Sequence, residues 1–208
     1  MKFHVIGCGS IGQRHIINLL NLKQIVTIYD TNNNLAKKVS KQLGVQITDS
    51  PIPQNTDCVC VCTPPSSHIN LAKKAINKNF HVFIEKPISN SIKNLARFSN
   101  KTKSKIFVGY SFRFDKGLNQ VKKLIDDNKI GKIISFDAYE GWHLSLWRSW
   151  QDYTKSYTGS KKLGGGIILD GSHELNYLLW LGGDITQVFS FYSAIPSLKV
   201  KTEGLAEI

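Results

Sequence analysis

Phe3-His4-Val5-Ile6-Gly7-Cys8-Gly9-Ser10-Ile11-Gly12 decides the fold of the first half of the chain. A strand-like apolar run ends in a glycine turn, and the turn opens an amphipathic stretch from Ile11 to Leu20. In such a unit the first glycine permits the tight turn, the second lets backbone approach a pyrophosphate, and the third lets helix pack on strand. The anion is held by free N–H groups at the helix start, here Ser10 and Ile11, and by the positive end of the helix dipole. By itself the turn supports only nucleotide binding. Asp30 adds to it: it closes the apolar run Ile25–Tyr29, eighteen residues beyond Gly12, where a carboxylate can accept from the ribose hydroxyls of an adenosine. A carboxylate there repels a 2′-phosphate, and Thr31, Asn32 and Asn33 bring no cation to offset it. NAD is therefore expected over NADP.

Working outward, short apolar runs alternate with amphipathic stretches. Strands are expected at Phe3–Ile6, Ile25–Tyr29, Val45–Ile47, Cys58–Cys62, Val82–Ile84 and Ile106–Val108. Helices are expected at Ile11–Leu20, Asn34–Leu43, Ser67–Asn77 and Ser91–Lys103. This alternation predicts an α/β fold, a Rossmann doubly wound parallel sheet covered by helices on both faces, over residues 1–115. The pattern then changes. A helix at Gly117–Asp127 is followed by Lys132–Gly141, which alternates polar and apolar residues like a longer antiparallel strand. After an aromatic stretch and a glycine run come a helix around Asp170–Leu181 and a strand at Gln187–Ala194. Residues 116–208 read as an incomplete α+β domain with a mainly antiparallel open sheet. Glu203–Ile208 looks like a strand just beginning, so a truncated product or a piece of a longer chain is the expectation.

Lys and Arg number 27 against 15 Asp and Glu, a net charge of +12, which raises the question of nucleic acid. The lysines are dispersed, as in Lys37, Lys38, Lys41, Lys73, Lys74 and Lys78, and the stripe Lys93, Arg97, Lys101 reads as a solvated helix face. Neither a nucleic-acid nor a membrane partner is expected, since no apolar run approaches the roughly 18 residues of a spanning helix. The start of the chain carries no secretory-signal pattern, and the cytoplasm is the expected compartment. Cys58, Cys60 and Cys62 alternate, so in a strand they stand roughly 7 Å apart on one face. That is too far for all three to close on one zinc at about 2.3 Å, and they read with Cys8 as reduced core residues, with no metal site.

Two more segments lie at carboxyl ends of expected strands, where open α/β sheets bind ligands. They are Thr63-Pro64-Pro65-Ser66-Ser67-His68 and Glu85-Lys86-Pro87, which place Thr63, Pro64, His68, Glu85 and Lys86 beside the cofactor site. Alone, Lys86 also reads as a surface lysine in a loop. Yet GCGSIGQRH, CTPPSSH, EKP and GGGIILDGSHELNYLLWLGG, in this order and spacing, resemble the Gfo/Idh/MocA oxidoreductase family. The resemblance runs from Lys2 to the last residues. It implies a Rossmann domain, a C-terminal domain whose open sheet carries substrate and often a homo-oligomer interface, and hydride transfer between NAD(P) and a hydroxyl or ketone carbon of a sugar, sugar nucleotide or polyol.

By the same resemblance Lys86 hydrogen-bonds the reacting oxygen, the Lys86–Pro87 bond is a candidate for cis, and His173 exchanges the substrate proton. Asp170 orients His173 or binds a neighbouring hydroxyl, and Arg113 borders the nicotinamide. Two departures stand out: the histidine follows the aspartate by three residues rather than four, and Asn176 stands where many relatives have an aspartate. Asp170 as a helix cap and His173 as a packed histidine remain an open reading. Trp147, Arg148 and Tyr157 belong to an aromatic stretch that suits a sugar pocket or, equally, packing against a sheet. A non-catalytic sensor of dinucleotide and sugar, or an inactive fragment, stands as the alternative function.

Overall fold

β1 (Lys2–Ile6) pairs on one side with β2 (Ile25–Tyr29) and on the other with β4 (Cys58–Val61). β3 (Gln46–Ile47), β5 (His81–Ile84) and β6 (Ile106–Val108) complete a six-stranded, all-parallel sheet in the order β3-β2-β1-β4-β5-β6. This is the doubly wound order, with the reversal between β1 and β4. The computed structural model describes residues 1–95, 103–147, 149 and 151–208. The chain divides into two units, Met1–Gly109 and Tyr110–Ile208.

The apolar runs follow from burial on both faces. Val5, Ile28 and Cys60 pack with Ile16, Ala36 and Val39 on one side, and Ile6, Val59, Val61 and Ile84 pack with Ala72 and Ala75 on the other. Val59 and Val61 therefore face away from Cys60 and Cys62, as the pleat of a strand requires. All four cysteines are free and buried, as the core reading expects. α1 (Ser10–Asn21), α2 (Asn33–Leu43) and α3 (Pro65–Ile76) supply the covering layers. α2 is capped by the Asn32 side chain, which accepts from the Leu35 N–H, and stops at Gly44 in the left-handed conformation. α3 begins with Pro65 in its first turn, where the missing N–H costs no helical bond. Of the helix expected at Ser91–Lys103, only a 3₁₀ turn at Ile92–Asn94 is seen, and residues 96–102, Arg97 and Lys101 among them, lie outside the described residues.

The second unit holds α4 (Lys116–Asp126), α5 (Leu144–Trp147), α6 (Ile167–Asp170), α7 (Ser172–Gly182) and an antiparallel pair, β7 (Phe191–Ser193) with β8 (Leu205–Glu207). Two expectations are corrected here. Residues 132–141 form no strand. Alternation offers a face but not a ladder partner, and with Ile134 96% and Tyr139 95% exposed no face is buried. The single helix expected from Asp170 is two: Asp170 ends α6, Gly171 interrupts, and His173 lies in the first turn of α7. Helical periodicity therefore does not set the relation of Asp170 to His173. Among the described residues no helix is long and apolar enough to cross a membrane.

His4, inside β1, has 0% exposure, and its Nδ1 lies 2.8 Å from Thr27 Oγ1. Burial pushes its pKa down from 6.5 to about 4. Between these values the unfolded chain binds a proton that the native ring refuses, so stability is full above pH 6.5 and falls as pH drops toward 4. The loss from this group is about 3 kcal/mol. Denaturant titrations across that range should show a shallower decline for His4→Leu than for the wild type; parallel curves would exclude His4 as the source.

Candidate functional site

The glycine turn after β1 is built by backbone contact. Gly7 has φ +98°, its N–H donates to the Tyr29 carbonyl at 2.8 Å, and a Cβ on it would lie 2.5 Å from the Cys62 carbonyl oxygen. A Cβ on Gly12 would lie 1.9 Å from the Gly7 carbonyl oxygen. Both glycines are thus demanded by the protein itself. Gly9 is different: its φ is −66°, open to any residue, and a Cβ there would meet nothing within 4 Å. Nothing in the chain requires position 9 to be bare. The first turn of α1 also lacks a side-chain cap, leaving the N–H groups of Ser10, Ile11 and Gly12 without intrahelical acceptors. A bare, exposed Gly9 beside uncapped donors is a cradle that fits a pyrophosphate.

Asp30 stands at the end of β2. Its Oδ2 accepts from the Cys8 N–H at 2.7 Å and its Oδ1 from the Asn32 N–H at 2.8 Å. These bonds fix the carboxylate beside the glycine turn, and each oxygen keeps a lone pair for a ribose hydroxyl.

The loops after β4 and β5 hold the other expected residues. Thr63 Oγ1 lies 2.6 Å from Ser67 Oγ, and Pro64 precedes the first turn of α3. The Lys86–Pro87 bond is cis, as the family resemblance implies. His68 has 0% exposure, with Nδ1 2.8 Å from the Pro87 carbonyl and Nε2 2.7 Å from the Thr63 carbonyl. Burial pushes its pKa below 6.5, while the two carbonyls and Glu85 pull it back. Buried between two main-chain carbonyls, of which the single N–H of a neutral ring donates to one at a time, His68 supports the loops rather than lining an open surface. Glu85 Oε1 meets His15 Nε2 at 2.7 Å, and Glu85 Oε2 accepts from the Lys86 N–H at 3.2 Å. His15 was missed in the sequence, although it stands three residues after Gly12 in the quoted motif. Only the fold shows that its partner lies seventy residues away.

In the second unit, Tyr157 donates its hydroxyl to Asp170 Oδ1 at 2.9 Å, and Asp170 is buried. Tyr157, expected at the substrate, is thus joined to the acid of the expected catalytic pair. The His173 ring stacks on Phe112 with centroids 4.6 Å apart and meets Tyr110 edge-on at 5.8 Å. Arg113 donates from Nε to Asn176 Oδ1 at 3.0 Å and sits 5.2 Å from the Trp180 ring. The amide at position 176 therefore pairs with the arginine where an aspartate would form an ion pair. Trp147 lines a cavity of about 140 Å³ together with Glu140, Trp142, Asp170, Leu198 and Glu203. Arg148 lies outside the described residues. No cluster of three or more metal-ligating side chains occurs among the described residues.

The parallel sheet, the glycine cradle and the acid at the end of β2 define a Rossmann unit of the dinucleotide-binding type, followed by a smaller α+β unit. A family model described as "Oxidoreductase family, NAD-binding Rossmann fold" matches residues 1–110, and the GFO/IDH/MocA C-terminal domain matches residues 118–207. The chain belongs to the Gfo/Idh/MocA oxidoreductase family. It is 33% identical to an inositol 2-dehydrogenase/D-chiro-inositol 3-dehydrogenase of Halalkalibacterium halodurans over 64% of this chain and 42% of that protein. It is 29% identical to a myo-inositol 2-dehydrogenase of Thermotoga maritima over 98% of this chain and 62% of that one. Among solved structures, myo-inositol 2-dehydrogenase from Lactobacillus plantarum superposes with a TM-score of 0.82 at 25% identity, over 96% of this chain and 62% of that one. A WlbA dehydrogenase from a Chromobacterium species, solved with NADH and UDP-GlcNAcA, shares the fold with a TM-score of 0.85 at 19% identity, over 99% and 62%. The chain spans 42% and 62% of the lengths of the two curated relatives.

Substitution separates the two kinds of glycine. Gly12→Ala should destabilise the protein by about 1–3 kcal/mol, the usual cost of forcing a methyl into a packed contact. Gly9→Ala should stay within about 0.5 kcal/mol of the wild type in urea denaturation. A large loss in Gly9→Ala would mean that the protein fold, not a ligand, requires the bare position.

Proposed function

We propose that the protein is an NAD-dependent dehydrogenase or reductase acting on a hydroxyl or ketone carbon of a sugar, sugar nucleotide or polyol. The observation that carries the reading is Gly9, a bare position that no protein atom demands, in front of uncapped N–H donors at the start of α1. Residues holding the cofactor are Gly7, Gly9, Ser10, Ile11, Gly12 and Asp30, with Thr63, Pro64, Glu85 and Lys86 from the next two loops. Bound NAD supplies the hydride chemistry at the nicotinamide C4.

The chain's own residues bind, orient and move the proton. Lys86 Nζ donates a hydrogen bond to the reacting oxygen. His173 takes the proton of the substrate hydroxyl in oxidation and returns it in reduction, a general acid–base task suited to an imidazole. Asp170 orients that imidazole, and the Tyr157 hydroxyl steadies the carboxylate. Arg113 is held by Asn176 and Trp180 as a substrate or cofactor neighbour, and Trp147 and Arg148 belong to the substrate-binding stretch. Inositol dehydrogenases among the relatives make inositols the first substrates to try. The reading includes a cytoplasmic setting and self-association through the sheet of the second unit.

The test is an NADH-absorbance screen over inositols, sugars, sugar acids and nucleotide sugars, with NAD binding measured in parallel. Turnover with NAD preferred over NADP in kcat/KM is expected, and Gly9→Ala should weaken NAD binding without loss of fold. Tight NAD binding with no turnover on any substrate would favour the sensor instead. His173→Asn should lower kcat by about 10²-fold or more at nearly unchanged NAD affinity; wild-type turnover in that variant would remove His173 from the mechanism.

A further inference from the structure

The Glu85–Lys86–Pro87 turn is gripped by two imidazoles from two different helices, and neither is used in the chemistry above. From α1, His15 Nε2 reaches Glu85 Oε1 at 2.7 Å. The His15 ring meets Phe83 edge-on with centroids 4.8 Å apart, and Phe83 stacks on Phe107 at 5.6 Å. Packed aromatic rings thus fix the direction of the His15 nitrogen. The second oxygen of the same carboxylate accepts from the Lys86 N–H. Gly109 leaves room beside it, since a Cβ there would lie 3.2 Å from Glu85 Oε1 and 3.0 Å from the Phe83 ring. From α3, His68 reaches the Pro87 carbonyl with one nitrogen and the Thr63 carbonyl with the other. Main chain on both sides of the Lys86 Cα is therefore tied to a helix.

Packing alone does not call for this arrangement. The Glu85 side chain is only 13% exposed, and the His15 side chain 23%. Drawing a carboxylate that far out of water is costly, and an apolar pair of similar size would fill the space as well. What the polar pair adds is direction. A lysine is a point charge on a flexible four-carbon stem, so the placement of its ammonium depends on how firmly its backbone is held. A displacement of about 1 Å at a reacting group can cost about 10²-fold in rate.

We propose that His15 is a positioning residue, which with His68 clamps the Glu85–Lys86–Pro87 turn between α1 and α3 and so sets where the Lys86 ammonium stands. The proposal rests on the reading of Lys86 as the donor to the reacting oxygen. Its structural half stands apart from that reading: the turn is rigid because two histidines hold it.

Hydrogen–deuterium exchange on the full chain, with and without NAD, tests the structural half using His15→Leu and His15→Gln. Gln keeps an N–H donor able to reach Glu85, and Leu does not. In His15→Leu the amides over residues 85–92 should exchange about tenfold faster while β1 and β2 keep wild-type rates. His15→Gln should restore slow exchange. An unchanged rate at 85–92, an increase spread evenly over the first unit, or no difference between Gln and Leu would each overturn the clamp. In kinetics, His15→Leu should lose roughly tenfold to 10²-fold in kcat with the KM for NAD nearly unchanged, and His15→Gln should recover most of it. Should the wild type turn over no substrate, the functional reading fails while the exchange result still decides the clamp.

Discussion

No side chain separates the start of α1 from the end of β1, and a single methyl group at Gly12 would overlap the Gly7 carbonyl. That contact brings the helix down onto the strand end and aims its uncapped N–H groups at the opening beside Gly9. Gly7, pressed against the Cys62 carbonyl, ties the same turn to the end of β4. The Cys8 N–H then reaches Asp30 at the end of β2. Three neighbouring strands thus end against one short turn, held by main-chain atoms whose positions vary little. Side chains are spent elsewhere, on the carboxylate and the lysine that differ chemically from a bare anion cradle.

The second tier of organisation lies behind Lys86 and Asp170. His15 and His68 fix the turn that carries Lys86, and Tyr157 fixes Asp170. Each supporting contact joins residues far apart in sequence or crosses between short elements. In both units the supporting groups are aromatic or imidazole, which bring two hydrogen-bonding edges or a broad packing face with few rotatable bonds.

Much of the first unit could be read from periodicity, because its strands are buried on both faces and its glycines do what only glycine can do. Most of the run Cys58–Cys62 became β4, with Cys60 and Cys62 packed on one side of the sheet, and Asp30 came to the end of β2. The segment 132–141 misled for a physical reason: alternation describes a surface, whereas a strand also needs a neighbour to receive its hydrogen bonds. The run from Asp170 misled differently. Gly171 breaks what hydrophobic spacing would make continuous, so the acid and the histidine belong to separate helices. His15 was visible as a letter in the motif, but its meaning depends on Glu85, and nothing local connects positions so distant. The Arg113–Asn176 bond was hidden in the same way.

The sulfur chemistry of the first unit has a practical side. Its four thiols are all enclosed. Burial and the nearby Asp30 push the Cys8 thiol up to about 12, and burial also holds Cys62 well above its ordinary range. Cys60 is raised by its contact with Cys58, while the same contact lowers Cys58. A thiol-selective reagent added to the native protein therefore meets no ready nucleophile. Its uptake becomes a clock for the opening of the central sheet.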